Sequence, residues 1–317
     1  NHLSRNSYPV EIYGRTKNKV ERLIREREYL NLNLKFNDNV IFKHLDDIHD
    51  KNDKSSKIYN FIATSSSGFA DCVRNYKDYL DQQDNICWLT KGIDEGSSRL
   101  LDEVVYDTLG NNFNFAILSG PSFAKDLALQ KNMCASLATS GKSITDDLVN
   151  CFETEFFHIE QTSDLIGVQI SGIMKNVAAI LAGILSSTDH THRDILKLID
   201  LTKDEILQMT IQIYSNRKLD IDKSMLNKTL MSPACDGDLR LSCLEDHSRN
   251  RRFGLNWYSR KDTNSLLNEI GTVEGYNSAI ALSKRIRSTN FGPVLSSVYN
   301  ILFNNSKLED SEVIKYL

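Results

Sequence analysis

The chain has 317 residues, of which 40% are hydrophobic and 25% charged, with a net charge of -4. This composition excludes disordered and fibrous classes and, at roughly 100–200 residues per domain, suggests two domains. It offers no basic field for nucleic acid or an anionic membrane.

In chain order, residues 10–13 read as a strand and 17–28 as a charged helix. Strands follow at 59–64, 85–90 and 113–119, with helices at 69–80 and 98–108 between them. Continuous apolar strands alternating with helices predict parallel βαβ units in a doubly wound, Rossmann-like α/β sheet covered on both faces. Beyond residue 163 the pattern is helical, at 164–185, 195–214, 250–257, 273–286 and 294–303. The expected division is a dinucleotide-binding domain over 1–164 and an all-α substrate-binding domain over 165–317. Segment 187–230 is polar and weakly periodic. The apolar run 177–185 is shorter than the roughly 20 residues that span a bilayer, so no membrane insertion is expected. The six cysteines include no C-x-x-C pair, which suggests reduced thiols in a cytoplasmic protein.

Five segments could carry chemistry, and α/β sheets place ligands at the carboxyl ends of strands. Tyr13-Gly14-Arg15 ends the first strand; an arginine there can take the 2′-phosphate of NADP, or it is a solvated surface residue. Thr90-Lys91-Gly92 places a lysine at a strand end, where it can bind substrate or merely snorkel. Leu118-Ser119-Gly120-Pro121-Ser122-Phe123-Ala124 is a turn, with Ser122 suited to cap the next helix. Lys175-Asn176-Val177 puts a lysine amid apolar surface, where desolvation disfavours its charged form and suits it to proton transfer. In Gly237-Asp238-Leu239 and Ser248-Arg249-Asn250-Arg251-Arg252-Phe253-Gly254, cations at a helix start oppose its macrodipole unless an anion arrives. His190-Thr191-His192 is poor metal evidence, and 51–57 reads as a solvated loop.

Taken in this order, and with Thr272-Val273-Glu274-Gly275-Tyr276, the set resembles NAD(P)-dependent glycerol-3-phosphate dehydrogenase over essentially the whole chain. The resemblance implies hydride transfer between NAD(P)H and dihydroxyacetone phosphate, giving sn-glycerol 3-phosphate for phospholipid synthesis. It also implies a homodimer. Lys175 matches the proton donor, Asp238 a group that orients it, and Lys91 a contact to substrate and cofactor. Gly120, Ser122, Asn176, Ser248, Arg249 and Asn250 match the substrate site. Arg15, Ala124, Thr272 and Glu274 match cofactor contacts, which Arg249 also reaches.

There are departures. No G-x-G-x-x-G occurs in the chain, which opens Asn1-His2-Leu3. The expectation is that about 20 residues, a strand, a turn and half a helix, lie upstream. Asp236 adds a negative charge, Ser242 replaces a threonine, and 195–209 has drifted. A non-catalytic homologue with a structural or regulatory role is the alternative. A ketopantoate-type reductase shares the fold but lacks the Ser248–Gly254 motif.

Overall fold

The computed structural model describes residues 2–29, 34–48, 57–81, 84–122, 124–246, 248–260, 262–286 and 292–317. Residues 51–56 of the expected polar loop and Phe123 lie outside these. A short helix α1 (His2–Arg5) precedes β1 (Val10–Gly14), α2 (Lys17–Glu26), the antiparallel pair β2 (Glu28–Tyr29) and β3 (Leu34–Lys35), and β4 (Val40–His44). β1 and β4 pair in parallel, from Val10 against Val40 to Gly14 against His44. A second sheet takes β5 (Tyr59–Ile62), β6 (Asn85–Trp88), β7 (Asn114–Ser119), β8 (Met133–Thr139) and β9 (Phe157–Thr162) in chain order. Between them run α3 (Ser66–Tyr76), α4 (Leu101–Leu109), α5 (Ala124–Ala128) and α6 (Lys142–Phe152).

β6 and all but the first residue of β7 are buried, as expected of apolar strands covered on both faces, whereas β5 is half-buried and β1 half-buried with Glu11 exposed. Trp88 of β6 is fully buried, stacked on Phe115 of β7 and edge-on to Phe69 of α3. β5, β6 and β7 are parallel, as the expected βαβ units require, while β8, a strand not expected from the sequence, runs antiparallel to β7. The five-residue α5 is too short to carry the chain back along β7, and an antiparallel neighbour needs no such crossover. α1 ties the two sheets together. Asn39 Nδ2 donates to Ser4 O at 3.2 Å, and His2 donates to Phe152 O at 2.9 Å.

The carboxyl-terminal half is helical among the described residues. It comprises α7 (Leu165–Ser186), α8 (His192–Asn216), α9 (Lys223–Met231), a π turn at Pro233–Gly237, α10 (Asp238–Leu244), α11 (Arg249–Arg260), α12 (Thr263–Ile270), α13 (Glu274–Arg285) and α14 (Pro293–Phe303). The polar segment 187–230 is thus mostly the 25-residue α8 and α9. His190-Thr191-His192 is the entry to α8, where Asp194 accepts from both the amide and the hydroxyl of Thr191. Asp164 caps α7 by accepting from Gly167 N at 2.7 Å. α7 is long and apolar enough to cross a membrane, yet 89% of its apolar window is buried by the rest of the protein.

α7 and α11 cross at glycines. A Cβ on Gly254 would stand 2.0 Å from Ile180 O, and one on Gly183 would stand 2.1 Å from Arg251 O. Both obstacles are backbone, so the helices would have to separate. This crossing sets the start of α11 against the middle of α7. Gly254→Ala should therefore destabilise the fold by about 1–3 kcal/mol or more, read as a lowered urea midpoint. A midpoint equal to the parent's would show that the crossing tolerates a methyl group.

Glu205 of α8 is buried beneath the start of α14, accepting from Val294 N at 2.9 Å and Leu295 N at 3.1 Å. Burial pushes its carboxyl up to about 7, those two amides pulling the other way. The unfolded chain then releases this proton at lower pH than the folded one. Stability contributed by the protonated carboxyl is lost as pH rises from the ordinary glutamate range to about 7, by about 3 kcal/mol. Urea unfolding at about pH 5 and about pH 8 should show this fall, and Glu205→Gln should flatten it. An equal slope in that variant would assign the fall to another group.

Candidate active site

Three charged side chains from both halves of the fold meet at one point. Lys91 follows β6, Lys175 lies midway along α7, and Asp238 opens α10 directly after the π turn. Asp238 is 2% exposed, and its two oxygens are divided between the lysines. Oδ2 lies 2.5 Å from Lys91 Nζ and Oδ1 lies 3.1 Å from Lys175 Nζ. Lys91 Nζ also donates to Gly120 O at 2.8 Å, and Lys175 Nζ to Ser242 Oγ at 3.2 Å. Burial pushes the Lys91 ammonium below the ordinary lysine value, against the pull of the Asp238 charge. Burial alone would raise Asp238, but the charges of Lys175 and Lys91 outweigh it and hold the carboxyl below the usual range. A π turn is rare and recurs at functional sites. Here it brings Asp238 onto the lysines, and Pro233 at its start has no amide hydrogen to leave unpaired.

A second cluster adjoins the first. Asn176, next to Lys175, donates to Glu274 Oε2 at 3.2 Å and receives from Asn250 Nδ2 at 2.8 Å on its side-chain oxygen. Asn250 in turn accepts from Gly275 N at 2.9 Å. Gly275 is required by this contact, since a Cβ there would stand 2.3 Å from Asn176 O. Glu274 is raised by burial and pulled back by the charges of Lys175, Arg249 and Lys91, which face it. Ser248 caps α11, its hydroxyl accepting from Arg251 N at 3.3 Å. Arg249 is exposed in the first turn of that helix, with no ion-pair partner among the described residues. The Ser122 hydroxyl donates to Gly120 O at 3.3 Å, the carbonyl that Lys91 also uses, instead of the expected role as a helix cap. Gly120 itself packs on β8, where a Cβ would meet Ala135 Cα at 2.8 Å.

Known proteins match both halves. The sequence profile described as NAD-dependent glycerol-3-phosphate dehydrogenase N-terminus matches residues 1–145, and the one described as its C-terminus matches 164–312. A glycerol-3-phosphate dehydrogenase [NAD(P)+] of Pasteurella multocida is 31% identical over 97% of this chain and 89% of its own length. One from Haemophilus ducreyi is 34% identical over 78% of this chain and 72% of its own. The chain belongs to the NAD-dependent glycerol-3-phosphate dehydrogenase family. The crystal structure of glycerol-3-phosphate dehydrogenase from Coxiella burnetii covers 99% of this chain and 92% of its own, at 26% identity and a TM-score of 0.82. Yeast glycerol-3-phosphate dehydrogenase shares the fold at 17% identity and a TM-score of 0.76.

The family's cofactor is a dinucleotide, and residues at the strand ends suit it. Arg15 leaves β1 exposed and without an ion-pair partner among the described residues. α3 begins behind Ser65, whose hydroxyl makes no capping bond and leaves the first amides of the helix free for an acceptor. Gly92, at φ +153°, lies against Ser66, where a Cβ would come within 2.6 Å. This close approach keeps Lys91 beside the α3 start. Ala124 and Thr272 are both exposed. The motifs did not point to two features that the structure adds. Ser242, noted only as a departure, is a hydrogen-bond partner of Lys175. Asp236, the added charge, is neutralised by Lys203 at 2.9 Å and by Arg240 at 2.7 Å. The four-residue spacing of Asp236 and Arg240 was a readable signal, whereas Lys203 lies on a different helix.

Proposed function

We propose that this chain is an NAD(P)-dependent oxidoreductase that interconverts dihydroxyacetone phosphate and sn-glycerol 3-phosphate. The observation that carries the reading is the meeting of Lys91 and Lys175 on the buried Asp238. We place the division between cofactor and substrate domains at 164/165, so that each domain supplies one lysine. When bound, the cofactor supplies a hydride to C2 of the ketone. As charge builds on the carbonyl oxygen, Lys175 Nζ gives it a proton. In the reverse direction the neutral amine takes the proton of the hydroxyl. Two ammonium groups against one carboxylate leave the cluster net positive, which opposes the growing negative charge. Asp238, held ionised by its partners, orients both lysines and does not take the proton.

Lys91, Gly120 and Ser122 would line the reacting end, and Asn176, Ser248, Arg249 and Asn250 the phosphate end. Lys91, Arg15, Ala124, Arg249, Thr272 and Glu274 would face the cofactor. A non-catalytic protein gains little from this cluster, because a buried ion pair is often no more stable than apolar residues of the same volume. On family resemblance and composition we also propose a cytoplasmic homodimer that supplies glycerol phosphate for phospholipid synthesis. Light scattering at the mass of one chain would refute the dimer.

Reduced cofactor should be consumed when dihydroxyacetone phosphate is added, and absence of consumption would overturn the function. Arg249→Ala tests the phosphate end. Hydrogen bonds to a charged group contribute about 1.5–3 kcal/mol, so KM for the phosphorylated ketone should rise roughly tenfold to a hundredfold. At saturating cofactor, KM for unphosphorylated dihydroxyacetone should rise far less. An equal loss with both ketones would remove Arg249 from phosphate binding.

A further inference from the structure

Away from the reacting centre, the two halves grip each other through a cluster of charges that the reaction does not use. Its middle is Glu103, in the first turn of α4. The Glu103 carboxylate accepts two bonds from the Arg285 guanidinium, at 2.7 and 2.8 Å, and pairs with Arg217 Nη2 at 2.9 Å. It also accepts from Leu100 N at 2.8 Å, which caps α4. Arg217, just past the end of α8, pairs with the 3%-exposed Asp102 carboxylate as well, at 2.5 Å from Nη1. The amide of Asp102 donates to Gln169 of α7 at 3.1 Å. A sheet-domain helix is thus fastened to α7, α8 and α13 of the helical half.

This grip bears on Lys91. The connection from β6 to α4 carries Lys91 near its start and Glu103 just beyond its end. Along that connection, Arg285 Nη1 also donates to Ser98 O at 3.3 Å, and Asn277 Nδ2 to Glu95 Oε1 at 3.1 Å. α13 spans both places. Its first residue, Glu274, receives from Asn176 beside Lys175, and its last, Arg285, holds Glu103. A helix of this length is a strut of about 17 Å. A shift of the α4 start against α13 would therefore move Lys91 relative to Lys175 and Asp238. A two-pronged arginine–carboxylate contact fixes direction as well as distance, which a single ion pair does not.

We propose that Glu103, held by Arg285 and Arg217, is a positioning residue that sets the two halves in the register at which Lys91 reaches Asp238. The kinetic part of this rests on Lys91 acting in the reaction proposed above. The geometric part does not.

Glu103→Gln keeps the side-chain volume and an acceptor for Leu100 N but removes the charge between the arginines. Misplacement of about 1 Å can cost a hundredfold in rate, so kcat with dihydroxyacetone phosphate should fall at least about tenfold. The same substitution on a Lys91→Ala background should change kcat less than about twofold, because the two residues act through one contact. A readout without turnover is trace acetylation of the folded protein, with peptide masses giving the rate at Lys91 relative to the exposed Lys223. That ratio should rise at least about fivefold in Glu103→Gln, as the ammonium leaves its carboxylate. Should Glu103→Gln fail to fold, Arg285→Lys takes the same measurements. It keeps the charge and loses the two-pronged contact.

An equal fold-loss on both backgrounds, or an unchanged acetylation ratio, would overturn the proposal and leave Glu103 a stabilising contact only. If the parent itself turns over no dihydroxyacetone phosphate, the functional reading fails, while the acetylation ratio still decides the positioning role.

Discussion

Lys175→Met should abolish reduction of dihydroxyacetone phosphate while leaving a folded protein. On α7, the neighbouring residues Met174, Val177 and Ala178 are fully buried. Methionine has nearly the length of lysine and can lie among them without opening a cavity. The substitution deletes the ammonium that gives Asp238 Oδ1 its partner at 3.1 Å and that donates to Ser242 at 3.2 Å. Asp238 keeps Lys91 at 2.5 Å, so the carboxylate does not become an unpaired buried charge. The loss should therefore fall on proton transfer more than on folding. A positioned general acid contributes roughly 10²–10⁴-fold, so kcat should drop by about that factor. Binding of the phosphate end, carried mostly by Ser248, Arg249 and Asn250 at the start of α11, should change little. Initial rates of cofactor oxidation at saturating ketone, with a urea midpoint for the same sample, give the two numbers needed. A variant that keeps parental turnover would remove Lys175 from the chemistry. A parental rate lost together with the fold would place the residue in the core only.

The parts of this site that could be read from the sequence are those whose signal is local. Lys91, Lys175 and Asp238 each sit in a short string of recognisable residues, so their identity was visible before their proximity was. Lys91 and Asp238 lie 147 positions apart, and only the fold makes them neighbours. The same limit hid Glu103 and Arg285, whose contact joins residues 182 positions apart across two helix ends that look like ordinary solvated surface. The strands tell a parallel story. β5, β6 and β7 are continuous apolar runs and were found. β8, Met133–Thr139, is buried along nearly its whole length but is built from small residues such as Ala135, Ser136 and Ala138, which carry little β signal. β9, Phe157–Thr162, is an edge strand that exposes His158, Glu160 and Gln161, so its alternation looks polar. α8 was blurred for the opposite reason. Its buried side includes Thr202, Glu205 and Thr210, polar residues that a hydropathy pattern does not place inside; Thr202 donates to Leu198 O and Glu205 accepts from Val294 N and Leu295 N.

Asp238→Asn should be the most damaging single change of charge in the protein. The amide has the shape of the carboxylate but no charge, and it leaves two ammonium groups facing one another with no anion between them. Removing one partner of a buried ion pair commonly costs 3–5 kcal/mol, because the other is left desolvated and unpaired. Stability at neutral pH should fall by about 3 kcal/mol or more. The pH dependence carries the diagnosis. Burial already lowers the Lys91 pKa, and loss of the Asp238 charge, which pulled it up, lowers it further. Between that depressed value and the ordinary lysine value the unfolded chain binds more protons than the folded one, so stability of the variant rises with pH across the window. The deficit relative to the parent should thus be largest near neutrality and shrink in alkaline solution, as Lys91 becomes neutral. Urea unfolding of parent and variant at about pH 7 and about pH 9 measures it. Activity should fall at both pH values, since Asp238 no longer holds either lysine in place against the growing oxyanion. A deficit independent of pH would mean that the loss comes from packing and not from the stranded lysines, and a variant with parental stability and turnover would end the case for Asp238 as the hub of the site.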